Sequence, residues 1–218
     1  MSTVANMYEN IPDSVIEMIP DQPIEILAPA FALVVAYLFF YEGMIYNVGK
    51  DNAFWSTVRS FLPFIDDQAR DAGFYTNYTV SENELAGRFS MDTASVVNLF
   101  YGKGFIHAPL AAHKEDWKGR NEVASLAHYG RDGSEIESWD KLKRFVMMAF
   151  VIEKQLHVTL FEDDNGDVIV TAHYEDSPYN ALRAYKHLRG KNYDVERGVE
   201  MVRGKLAEYG AFEVVSEE

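Results

Sequence analysis

LHVTLFEDDNGDVIVTAHYED, residues 156–176, reads as two strands joined by an acidic turn. Leu156 to Phe161 and Val168 to Tyr174 alternate in character as strand residues do. Between them, Asp164-Asn165-Gly166 suits a three-residue connection with Gly166 in the left-handed region. That turn sets a register in which Phe161 faces Ile169, Thr159 faces Thr171 and His157 lies opposite His173. Leu156, Val158, Leu160, Val168, Val170 and Ala172 then form an aliphatic face toward the core. The other face carries His157, Thr159, Thr171, His173 and Glu175. A slip of one residue would exchange the faces and destroy the histidine pairing.

Two imidazoles and a carboxylate on one sheet face make His157, His173 and Glu175 a candidate metal site of the two-His-one-carboxylate type. The turn itself is not a calcium loop, because Phe161 stands at the first ligand position and no Glu follows at the twelfth. The chain has no H-E-x-x-H, no G-x-S-x-G, no P-loop and no dinucleotide-binding glycine pattern. It also has no cysteine, which excludes disulfides and thiolate metal sites. No catalytic residue is assigned and no cofactor is expected.

Outward from the hairpin, Phe105 to His107 and Val123 to Tyr129 read as further strands. Lys141 to Gln155 is ambiguous between helix and strand. Two helices are expected at the carboxyl end. The first opens at Ser177-Pro178 and stops at Gly190, and Asp194 caps the second, with Val195, Val199, Val202, Leu206 and Tyr209 on one face. Strands followed by helices imply an α+β domain with an antiparallel sheet, over residues 73–218.

A second stretch, ELAGRFSMDTASVVNLFYGKGFI (84–106), has two readings. Leu85, Ala86, Met91, Val96 and Leu99 fall where a winged helix-turn-helix has apolar or small residues, and GKGFI resembles the entry to its wing. That resemblance implies a recognition helix over residues 93–101 and a DNA-binding regulator. Met91 to Tyr101 nevertheless contains no Arg or Lys, a thin supply for phosphates and base edges. The alternative, which the missing bases favour, makes Leu85 to Ser90 a strand, with Asp92 capping the helix that follows. Together with QLHVTLF, TAHYED, HLRG and VERGVEMVRGKL, the stretch also resembles uncharacterised haloarchaeal membrane-associated proteins, a likeness that implies no activity.

The amino-terminal segment, residues 1–72, is of a different kind. Residues 1–25 lack Lys and Arg, which argues against a secretory signal. Ile26 to Tyr41 carries no charge, and with its extension to Tyr46 the stretch at about 26–46 is expected to be a single transmembrane helix. Tyr41, Tyr46 and Trp55 would be its interfacial aromatics. An amphipathic helix is expected over about 52–65, where Phe54, Trp55, Val58, Phe61, Leu62 and Ile65 recur at helical spacing. Lys50 and Arg59 follow the span and no base precedes it, so the carboxyl-terminal domain is expected on the cytoplasmic side of the membrane.

Charge narrows the partners. The net charge of −14 argues against nucleic acid, which needs a basic footprint, and is also what a protein of a high-salt cytoplasm shows. Residues 183–205 run the other way. Arg183, Lys186, Arg189, Lys191, Arg197, Arg203 and Lys205 face only Asp194, Glu196 and Glu200, a candidate surface for lipid headgroups or another protein. The function expected is non-enzymatic binding or scaffolding by a membrane-anchored chain, cellular or viral. A membrane-tethered winged-helix regulator and a metalloenzyme built on the histidine pair are the alternatives.

Overall fold

The structure, a computed structural model, describes Tyr41, Gly43, Ile45, Asp71 and residues 79–108 and 113–214. The chain divides into two compact units, Met1–Gly43 and Met44–Glu218. The sheet and its helices belong to the second.

Its centre is the expected hairpin, β4 (Lys154–Glu162) and β5 (Val168–Asp176). The register pairs Phe161 with Ile169, Thr159 with Thr171 and His157 with His173. Asp163 N–H donates to the Asp167 carbonyl at 2.9 Å, closing the turn over three residues. Gly166 sits there at φ +81°, a conformation that costs glycine little.

The remaining strands are β1 (Leu85–Phe89), β2 (Ile106–His107), β3 (Glu122–His128) and β6 (Phe212–Glu213). They extend the hairpin into a six-stranded sheet of order β2-β3-β4-β5-β1-β6, each neighbouring pair antiparallel. Residues 85–89 are thus extended and paired with β5, and at Arg88 and Phe89 with β6 as well. Helix α1 (Thr93–Gly102) follows, with the Asp92 carboxylate accepting from Ser95 N–H at 3.0 Å. The stretch at 84–106 therefore has a strand where a helix-turn-helix needs its first helix.

After β3 comes a short helix that was not expected, α2 (Gly133–Ser138). The ambiguous segment Lys141–Gln155 resolves into helix α3 (Lys141–Val146), a wide π turn over Met147–Val151 and the start of β4. Ile152 N–H reaches back five residues to the Met147 carbonyl at 2.8 Å before β4 begins. The helix expected from Ser177 to Gly190 forms only over Ala184–Leu188 (α4). Ahead of it, Ser177 Oγ accepts from Tyr179 N–H and Asn180 Oδ1 from Leu182 N–H, local bonds that hold turns in competition with helix. Helix α5 (Val195–Leu206) begins where expected, capped by Asp194.

Val96 and Phe100 of α1 and Val199, Val202 and Leu206 of α5 pack with Leu156, Val158, Leu160, Val168, Val170 and Ala172 in one aliphatic core. Fully burying each such side chain stabilises the fold by about 1.5–3 kcal/mol. Gly198 brings α5 hard against β5. A Cβ there would lie 2.3 Å from the His173 Cα, so only glycine permits the approach.

The expected fold class needs correction at its amino-terminal element. No helix among the described residues is long and apolar enough to cross a membrane. Of the segment at about 26–46, Tyr41, Gly43 and Ile45 are helical, with Tyr41 and Ile45 buried; its other residues, and the amphipathic helix at about 52–65, lie outside the described residues. Sixteen uncharged residues ended by Glu42 are too few to separate a lipid-facing helix from one packed inside protein, because both environments select the same side chains. The fold is α+β, a six-stranded antiparallel sheet with helices.

Candidate metal centre

The second face of the hairpin is also buried, although it is polar. Gln155 faces Glu175, His157 faces His173 and Thr159 faces Thr171, and all six are buried. His157 is 4% exposed, His173 2% and Glu175 7%. Buried polar groups on this scale must be paired to be tolerated.

Three atoms converge at its centre. His157 Nδ1 lies 3.1 Å from His173 Nε2, and Glu175 Oε1 lies 3.4 Å from each. Residues from remote parts of the chain hold the outer atoms of the triad. Ser125 Oγ on β3 is 2.7 Å from His157 Nε2. Glu84 Oε2 is 2.9 Å from His173 Nδ1, placed there because β1 begins opposite Thr171. Gln155 Nε2 donates to Glu175 Oε1 at 2.6 Å, and His187 Nδ1 lies 3.0 Å from Glu175 Oε2.

Tyr193 completes the surround. Past the point where β1 starts, opposite Thr171, Asp194 takes up pairing with β5 and exchanges two backbone bonds of 2.8 Å with Tyr174. The alternation of strand side chains then sends Tyr193 to the polar face. Its ring stacks on His173 at 4.2 Å and its hydroxyl donates to Glu84 Oε2 at 2.8 Å. With Lys154, Tyr174, Asn192 and Arg197, Tyr193 also lines an open cavity of about 580 Å³, so the triad's surround reaches solvent at this ring, as it does at the partly exposed His187.

Burial pushes His157 down to about 3 and leaves it neutral. Burial also opposes charge on Glu175, but the imidazoles of His187 and His173 outweigh it and hold the carboxyl well below the usual range. Glu84 is lowered against its own desolvation chiefly by its hydrogen bond with His173, with help from Lys114 and Tyr193. His187 loses to burial less than it gains from Glu175, so it is raised.

The structure thus brings together the three expected ligands. It divides the seven expected basic residues. Arg183 pairs with Glu153 at 2.6 Å, and Arg189 lies over the Tyr185 ring. Those two share one region with Lys186 and Lys191. Arg197 instead covers the Tyr174 ring at 4.3 Å, Arg203 donates to the carbonyls of Ala86 and Leu85, and Lys205 lies 3.4 Å from His128 Nε2. Glu84, Ser125, Gln155, His187 and Tyr193 were not anticipated. Gln155 alone had a local signal, two residues before His157 on the same face.

Comparison of the chain with family models, with curated proteins and with solved structures found no match.

Proposed function

We propose that the domain binds a divalent transition-metal ion through His157 Nδ1, His173 Nε2 and Glu175 Oε1. One observation carries this reading. Bonds of roughly 2.0–2.1 Å place tetrahedral ligand atoms about 3.3 Å apart. The three edges here are 3.1, 3.4 and 3.4 Å. The surround fits as well. Carboxylate Glu84 on the far nitrogen of His173, and Ser125 on that of His157, are the partners that fix a ligating imidazole's tautomer and raise its basicity. With two imidazoles, one carboxylate and no thiolate, zinc and ferrous ion suit the donor set.

A second reading rests on the same distances. Ser125 O–H can donate to His157 Nε2, His157 Nδ1–H to His173 Nε2, and His173 Nδ1–H to Glu84. This chain is closed without an ion, and the charges of Glu84 and Glu175 are balanced by His187 and the buried Lys114. The readings put the His157 proton on opposite nitrogens. The test reconstitutes the full chain with zinc or cobalt(II), measures bound metal, and assigns the His157 tautomer by ¹⁵N NMR. One equivalent of metal with the proton on Nε2 supports the centre. No stoichiometric metal, with the proton on Nδ1, overturns it in favour of the relay.

A further inference from the structure

Exposed large apolar side chains are concentrated in two short segments. Along α3 and the π turn, Leu142, Val146 and Phe150 recur every four residues on the outward side, Leu142 at 73% and Phe150 at 54% exposed. The side chains facing inward are Arg144, Met148 and Ala149. The π turn admits an extra residue, so Val151 reaches the surface beside Phe150. Leu182, Tyr185 and Leu188 form a second ridge at the start of and along α4, Leu182 at 76% exposed. Ala181 N–H donates to the Ala149 carbonyl at 2.9 Å, which sets the ridges side by side. Together they hold seven of the ten exposed large apolar side chains among the described residues, a clustering unlike the single scattered residues that need no explanation.

Their charge is as telling. Residues 141–152 and 181–193 contain no Asp or Glu, in a chain with 34 of them. The same segments contain Lys143, Lys186, Arg189 and Lys191, all exposed. At the margin of these segments Glu153 is paired with Arg183 and Asp140 caps α3, which leaves the bases in excess. An apolar ridge with such a rim matches the headgroup region of an anionic bilayer, where apolar side chains enter the acyl boundary and bases meet phosphate.

We propose that α3, the π turn and α4 form a docking surface for an anionic lipid bilayer, on which the domain lies peripherally. The surface adjoins the proposed metal centre through His187 of α4, whose Nδ1 lies 3.0 Å from Glu175 Oε2, but the proposal does not rest on a metal being bound there. Phe150, Val146 and Leu182 enter the interface, while Lys186, Arg189 and Lys191 hold the anionic headgroups.

The test is flotation of the full chain with vesicles of phosphatidylcholine alone or containing about 30% phosphatidylserine, enough to give an anionic surface. Expected is at least ~10-fold stronger partitioning to the anionic vesicles, falling steeply with salt. The double variant Phe150→Ser/Leu182→Ser, at exposed sites that do not disturb the core, and the charge variant Lys186→Glu/Lys191→Glu, should each lose about that factor, with circular dichroism confirming the fold. Equal partitioning to both vesicles overturns the proposal, as does binding that both variants retain, which would place membrane contact elsewhere in the chain. A dimer in light scattering that Phe150→Ser/Leu182→Ser dissolves, without vesicle binding, overturns it in favour of a second copy of the chain.

Discussion

The two faces of the β4–β5 hairpin are made of alternate residues of the same strands, and both are buried, but they are held by different physics. On one, Leu156, Val158, Leu160, Val168, Val170 and Ala172 meet α1 and α5 in an aliphatic core. On the other, Gln155, His157, Thr159, Thr171, His173 and Glu175 form a ladder of polar pairs tied to Glu84, Ser125, His187 and Tyr193. The aliphatic face needs only volume and shape, so stability suffices to explain it. The polar face costs desolvation at every position and is tolerated because most of its groups meet a placed partner, the buried Gln155 Oε1 being an exception. Such an arrangement is the natural place to look for function.

The comparison breaks most sharply at Glu175. Glu175→Ala removes one of the proposed metal ligands and leaves the partly exposed His187 without its counter-charge. Loss of one partner of a buried pair costs about 3–5 kcal/mol, and the lower end applies here because His187 keeps some contact with solvent. Urea denaturation should show that loss together with loss of bound metal; a variant that keeps its metal would remove Glu175 from the centre.

Leu160→Ala, on the aliphatic face, should cost about 3 kcal/mol through the cavity it leaves. Metal stoichiometry should not change. If this substitution also abolished metal binding, the two faces could not be treated as separate.

Gly198→Ala tests the point where they meet, since the added methyl would press on the His173 backbone. Overpacking of this kind costs about 2 kcal/mol. The cobalt(II) spectrum should shift in the same variant as His173 is displaced. An unshifted spectrum with lowered stability would confine the effect to the core.

The smallest effect contrasts two histidines, the central His157 and the peripheral His128. His128, at the edge of the aliphatic face, is pushed down to about 4 by burial and by the neighbouring Lys205. Because its folded value lies below the unfolded one, the unfolded chain binds the extra proton first. Its contribution is therefore complete above pH 6.5 and is lost progressively as pH falls toward 4. Replacing it with Gln should flatten the measured stability between those limits while leaving metal binding intact. Unchanged slopes in the two proteins would refute this.

The hairpin was legible from the sequence because everything it needs is local. Strand alternation, the Asp164-Asn165-Gly166 turn and the resulting His157–His173 pairing lie within twenty-one residues. The Asp92 and Asp194 caps were equally readable, since a cap acts across three residues. The short α4 was misjudged because Ser177 and Asn180 use their side chains to hold turns, a competition that the capping signature does not display.

The sequence by itself determined which residues share a face of the central hairpin and that two of them are opposed histidines. Only the tertiary structure decided that the polar face is buried and that Glu84, 89 residues from His173, and Ser125, 32 from His157, complete it. Side-chain direction along a strand is fixed by the backbone's period of two, whereas burial and long-range partners depend on where distant segments of chain come to rest.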